Sequence, residues 1–205
     1  MSDTKFTEEK ESFRSTRSQY ILELTGGAIF AALSGVFAWM ASLLARAGIG
    51  MAYFDPISIV WVLALFIFGP IAALLSSGVG TLLLMPFDPF APIGPIMKFA
   101  ATATLMLVYI IALKLYKREL GVSKCEKLKP IKRFLILGII ATGVRIGVMA
   151  ILNIIAYLGL GNPIEGLGAW LVTVTILNAV QSIWDLAIPY VIVFGLKIDE
   201  RFKIW

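Results

Sequence analysis

Arg145 and Asp185 each interrupt a long apolar run, and a charge near the centre of a bilayer costs about 2.5–3.5 kcal/mol on even the most lenient scale. Arg145 lies eleven residues after Phe134, and Asp185 eleven residues before Leu196. At ~1.5 Å per residue both side chains sit about 16 Å from the same side of the membrane. On adjacent antiparallel helices they would meet, so they are expected to form a hydrogen-bonded ion pair that locks the two helices; ligand contact and a switching role are the alternatives. Asn153 and Asn178 occupy the same two runs nearer the other side, with Gln181 one turn from Asn178 and Lys98 entering an earlier run at the same level. Each amide offers donor and acceptor groups, so the chemistry open to this set is recognition of the polar edge of a neutral heterocycle. Ordinary interhelical hydrogen bonding is the competing use. Phe54, Trp61, Phe87, Phe90 and Trp170 offer faces that stack on a planar ring, or that form an interfacial belt.

Covalent and metal chemistry find little support. The chain has no histidine and one cysteine, Cys125, which excludes His relays, His-based triads and zinc sites, intramolecular disulfides and thiolate cages. Ser76, Ser77, Lys98 and Asp185 form no recognisable nucleophile–base arrangement, and the acidic residues are scattered. No Gly-x-x-x-x-Gly-Lys-Ser/Thr loop occurs, so the chain is not expected to hydrolyse ATP. Neither an enzyme nor a cofactor-holding protein is indicated.

The elements that must position these residues are membrane helices. Hydrophobic residues make up 59% of the chain and charged residues 15%, against roughly 45–50% and 25% in soluble domains. Runs at about 20–46, 96–116, 134–158 and 169–196 each supply the ~20 residues a crossing needs. Strand-like alternation is absent, which excludes a closed barrel. Between Pro56 and Pro86 the run is broken by Gly69-Pro70, giving one kinked helix or two short ones. Basic charge decides between them. Eight Lys and Arg residues lie between Lys114 and Arg133, four near the start (Lys5, Lys10, Arg14, Arg17) and three in the tail (Lys197, Arg201, Lys203). All three clusters reach the cytoplasmic side only if residues 56–69 and 70–86 cross separately. The expected fold is therefore an all-α integral membrane protein of six helices with both termini cytoplasmic. Residues 1–19 form a polar segment without a signal-peptide pattern, residues 20–196 the membrane domain, and residues 197–205 a short tail. The net charge of +5 then reports topology and calls for no nucleic acid. The outer loops AGIGMAYFDP, PFDPFAPIGP and GLGNPIEGL are rich in turn residues, as loops that cover a site are and as short connections also are.

On the first helix Gly27, Ala31 and Gly35 form a small-residue stripe beside Ala28 and Ala32. Such a stripe admits another helix at close range, either within the chain or from a partner subunit.

Three stretches carry a resemblance to a known family: FDPISIVWVLALFIFGPIAALLSSGVG at 54–80, VMAILNIIAYLGL at 148–160 and NAVQ at 178–181. They resemble the substrate-binding S components of energy-coupling factor (ECF) vitamin transporters, the riboflavin-binding branch in particular, over nearly the whole chain from Ile21 to Lys197. MAILN is the most specific stretch, and the Phe-Gly-Pro turn discriminates poorly between vitamins. The resemblance implies six helices with the ligand near the outer face of a prokaryotic plasma membrane. It implies riboflavin as transported ligand, a transmembrane coupling subunit, and two cytoplasmic ATPase subunits as partners. By it Asn153 matches a flavin-contacting asparagine, Asn178 the asparagine of a sixth-helix Asn-x-x-Lys motif, and Asp55 the acidic residue opening the second helix. Gln181 stands where that motif has lysine, with Lys98 the cation within reach of the same space. Ala28 and Ala32 match the Ala-x-x-x-Ala motif that docks the coupling subunit, with Gly27 and Ala31 in parallel. A different vitamin or a nucleobase-like compound is the nearest alternative ligand; an intramembrane enzyme and a purely structural membrane subunit are the alternatives of other classes.

Overall fold

A computed structural model describes residues 2–46, 54–116 and 125–202, with side chains over 17–43, 54–116 and 125–200. Most of the loop AGIGMAYFDP and the basic residues Lys117, Arg118, Lys124 and Lys203 lie outside the described residues. The helices are α1 (Ser2–Arg46), α2 (Pro56–Phe68), α3 (Pro70–Leu84), α4 (Ile93–Leu115), α5 (Ile131–Gly159), α6 (Leu167–Tyr190) and α7 (Ile198–Phe202). Single 3-10 turns at Cys125–Leu128 and Ile164–Gly166 precede α5 and α6. Among the described residues there is no strand.

Four of the helical segments, Arg17–Leu43, Ile93–Leu115, Ile131–Gly159 and Ile164–Gly195, are long and apolar enough to cross a membrane. The chain is thus an all-α protein of membrane type. The other two apolar helices are short: α2 has 13 residues and α3 has 15, about 20 and 22 Å against a hydrocarbon thickness of ~30 Å.

The elbow between them follows from local chemistry. Asp55 caps α2 by accepting from the Ile57 N–H, and Pro56 takes the first turn, where its missing donor is harmless. Gly69 ends α2 and starts α3 at φ 109°, ψ −174°, backbone that is essentially glycine-only. Its N–H donates to the Leu65 carbonyl at 3.0 Å, and Pro70 opens α3. From Ile57 to Phe66 only Leu63 escapes full burial, so α2 is the central post of the bundle, packed by α1, α3, α4 and α6. An apolar helix with no polar face belongs in such a position.

Helix α1 packs chiefly on α3. A methyl group at Gly27 would lie 3.0 Å from the Ala72 Cα, one at Gly35 3.3 Å from Leu83, and one at Gly26 inside the Phe68 ring. Gly27 and Gly35 are therefore taken up within the chain by α3, and Ala31 between them is buried, so of the two uses open to this stripe the structure shows packing within the chain. Ala28 and Ala32 stay exposed on the outward side. The helix also begins at Ser2, well before the expected boundary near residue 20.

At the other end of α2 an aromatic cluster joins Phe66, Tyr109, Phe134, Tyr190 and Phe194, with Phe134 and Tyr190 centroids 4.6 Å apart. The Tyr109 hydroxyl donates to the Phe134 carbonyl and the Tyr190 hydroxyl to the Lys129 carbonyl, at 3.1 and 2.7 Å. Helix α6 was expected to run to Leu196. It instead yields to a π-helical turn over Val191–Gly195 just after Pro189, whose missing N–H cannot reach the Asp185 carbonyl one turn earlier.

Below the cluster α7 folds against α2, and Lys129 reaches Glu200 at 2.7 Å and Asp199 at 3.5 Å. The hydrogen bond to Glu200, then the Asp199 charge, raise the Lys129 pKa. Cys125 is buried here, and burial, then the charges of Asp199 and Glu126, push its thiol well above the ordinary cysteine range. As the only cysteine, Cys125 reports directly on this corner. Maleimide labelling should be slow throughout pH 7 to 9, and Lys129→Ala should accelerate it about tenfold or more by loosening α7. Wild-type labelling as fast as that of a free thiol would contradict the packing.

Candidate functional site

Three side chains of α6 recur on one face at helical spacing: Asn178, Gln181 and Asp185. Helix α5 places Arg145 opposite them, 1% exposed. The guanidinium donates from Nη1 to Asp185 Oδ2 at 2.7 Å, from Nε to Asn178 Oδ1 at 3.0 Å and from Nη2 to Gln181 Oε1 at 3.0 Å. Arg145 and Asp185, expected to pair from equal depth alone, are thus in direct contact. The planar fork also engages both amides, which an ammonium on the same stem would not do. Asp185 is fully buried, and its Oδ1 receives no hydrogen bond from the described residues.

A second ion pair lies at the start of α2. Lys98 Nζ is 2.8 Å from Asp55 Oδ2, with the Asp55 side chain 5% and that of Lys98 25% exposed. Asp55 Oδ2 also accepts from the Ser58 hydroxyl at 2.9 Å, and Thr102 donates to that hydroxyl at 3.0 Å. One carboxylate therefore caps α2, holds Lys98 and, through Ser58, ties α2 to α4. Sequence reasoning missed Ser58 and Thr102. Their spacing was the available signal, Ser58 three residues after Asp55 and Thr102 four after Lys98, each one turn along the same face. The two pairs are neighbours: Phe54, just before Asp55, meets Trp184, just before Asp185, edge to face at 6.2 Å.

Asn153 lies two turns beyond Arg145 on α5, also buried, and donates from Nδ2 to the Met149 carbonyl at 2.8 Å. Asn178 donates likewise to the Val174 carbonyl at 2.8 Å. With Oδ1 on Arg145, the Asn178 amide is largely spent on the protein, whereas Asn153 keeps its side-chain oxygen as an acceptor.

Trp61 is placed elsewhere. Its indole is fully buried between α1 and α3 and donates from Nε1 to the Ser34 hydroxyl at 2.9 Å, so it does not line the Arg145 network as a wall for a ligand. Trp170 is partly exposed and packs near Tyr157 at 5.9 Å, while Phe87 and Phe90 lie exposed in the turns between α3 and α4. Among the described residues no group of three or more His, Cys, Asp or Glu side chains could hold a metal ion.

The arrangement is built for electrostatic closure and hydrogen-bond recognition. Two cations and two anions compensate one another in surroundings where a lone charge would be costly. No known protein family, curated protein or solved structure matches this chain.

Proposed function

We propose that the chain is the substrate-binding S component of an ECF-type vitamin importer in a prokaryotic plasma membrane, with riboflavin as its ligand. In this reading α1 to α6 make six crossings with both termini cytoplasmic. The two short helices α2 and α3 cross separately, as a hairpin turned at Gly69-Pro70 on the cytoplasmic side. The ligand is captured near the outer face and delivered with a transmembrane coupling subunit and two ATPase subunits, to which the exposed Ala28 and Ala32 face of α1 is available.

The observation that carries the reading is convergence. The three stretches that bear the resemblance are far apart in sequence, and they supply α2 with Asp55, the outer part of α5 with Asn153, and the Asn178–Gln181 face of α6. These elements pack around one buried, charge-balanced network. A binding site of this kind combines apolar walls with a few oriented polar groups. Asn153 is the ligand-facing amide, while Asn178 and Gln181 are held in register by Arg145.

Tryptophan fluorescence provides the test, since Trp184 adjoins the network. Detergent-purified protein is titrated in parallel with riboflavin, thiamine, biotin, folate and pantothenate. Saturable quenching by riboflavin at about nanomolar concentration, weakened tenfold or more by Asn153→Ala, is expected. Saturation by another vitamin instead would keep the transporter and replace the ligand. No response to any of the five would contradict the reading.

A further inference from the structure

The four charges of the buried network sum to zero. Arg145 and Asp185 are 2.7 Å apart and wholly buried, and Lys98 and Asp55 are 2.8 Å apart at the start of α2. Each cation already holds a carboxylate. A ligand bringing a net charge into this space has two routes. It remains uncompensated, or it takes one ion from its partner and leaves the other unpaired; both are costly where water is scarce. A neutral ligand meets neither penalty.

Of the two cations Lys98 is the one a ligand anion would capture. Arg145 is held by three acceptors and is 1% exposed. Lys98 holds one carboxylate, and a quarter of its side chain is open. Asp55 in turn is fixed independently of Lys98 by the Ile57 N–H at 3.1 Å and the Ser58 hydroxyl at 2.9 Å. Its charge therefore stays in place and keeps the lysine occupied. We infer that Asp55 and Lys98 act as a charge filter: the site takes ligands of no net charge, and Asp55 sets that specificity by withholding Lys98 from anions. This rests on the reading of the chain as a vitamin-binding subunit.

The experiment compares riboflavin with riboflavin 5′-phosphate and 8-carboxyriboflavin, which carry negative charge at opposite ends, so that one charge or the other must enter the enclosed part of the site. Wild-type protein should bind at least one of the anions about 100-fold or more weakly than riboflavin. Asp55→Asn retains a capping side chain and frees Lys98, so it should narrow that preference tenfold or more, with the anion gaining affinity. Adding Lys98→Met should restore the preference. Equal wild-type affinity for all three compounds would overturn the filter while leaving the vitamin reading intact, and it requires no variant to fold. An unchanged preference in a folded Asp55→Asn protein would overturn Asp55 as its source. Binding of none of the three by wild-type protein would contradict the riboflavin reading and the filter with it.

Discussion

Arg145→Met and Asp185→Leu, made singly, should each destabilise the protein by about 3–5 kcal/mol, and the double variant should cost less than either. Removing Arg145 strands a fully buried carboxylate and takes the donor from Asn178 Oδ1 and Gln181 Oε1 together. Removing Asp185 leaves a guanidinium with two amide acceptors and no counter-ion. With both gone, the remaining amides are neutral and can turn toward their own helix, as Asn178 already does through its bond to Val174. The unfolding midpoints of the four proteins in mixed micelles close a double-mutant cycle, and strongly non-additive costs are the expected result. Additive, small single effects would mean that the pair does not hold α5 against α6.

The second large effect lies at the crossing of α1, α2 and α3. A methyl group at Gly80 would fall 2.6 Å from Trp61 Nε1 and 3.1 Å from the Ser34 Cβ, and neither neighbour has room to retreat, because both are fully buried. Gly80→Ala should therefore cost about 2–4 kcal/mol, combining overpacking with the loss of the hydrogen bond between Trp61 and Ser34. Gly78, two residues earlier on α3, is the control. Nothing lies within 4 Å of a Cβ there, so Gly78→Ala should be neutral or stabilise by up to ~1 kcal/mol through helix propensity. Similar thermal shifts for the two variants would contradict the packing of α3 against Trp61.

Much of the fold was legible because a few sequence signals have a single physical outcome. Gly69-Pro70 cannot continue a helix, and it does mark the elbow between α2 and α3. Equal depth on two consecutive runs brought Arg145 and Asp185 together without knowledge of either rotamer. Other features were ambiguous for stated reasons. Gly27, Ala31 and Gly35 read alike whether the approaching helix is α3 or a partner, since small-residue spacing carries no identity. Trp61 lies on a helix apolar all round, so periodicity could not say which neighbour its ring would meet. The polar start of the chain lacks the apolar run of a membrane helix, yet its Glu, Lys and Arg residues are good helix formers, and α1 extends through them to Ser2. That Arg145 would occupy both amides of the sixth helix depends on side-chain directions that spacing alone does not determine. It matters for the proposed function, because it leaves Asn153 as the amide with a side-chain oxygen to offer a ligand.

The most direct measurement is calorimetric titration of riboflavin into purified wild-type protein and the Asn153→Ala variant. A single site per chain with a dissociation constant near 10 nM or below, about −11 kcal/mol, and a loss of tenfold or more on Asn153→Ala are predicted. Absence of binding by folded wild-type protein, or full affinity retained by Asn153→Ala, would contradict the placement of a riboflavin site above the Arg145 network.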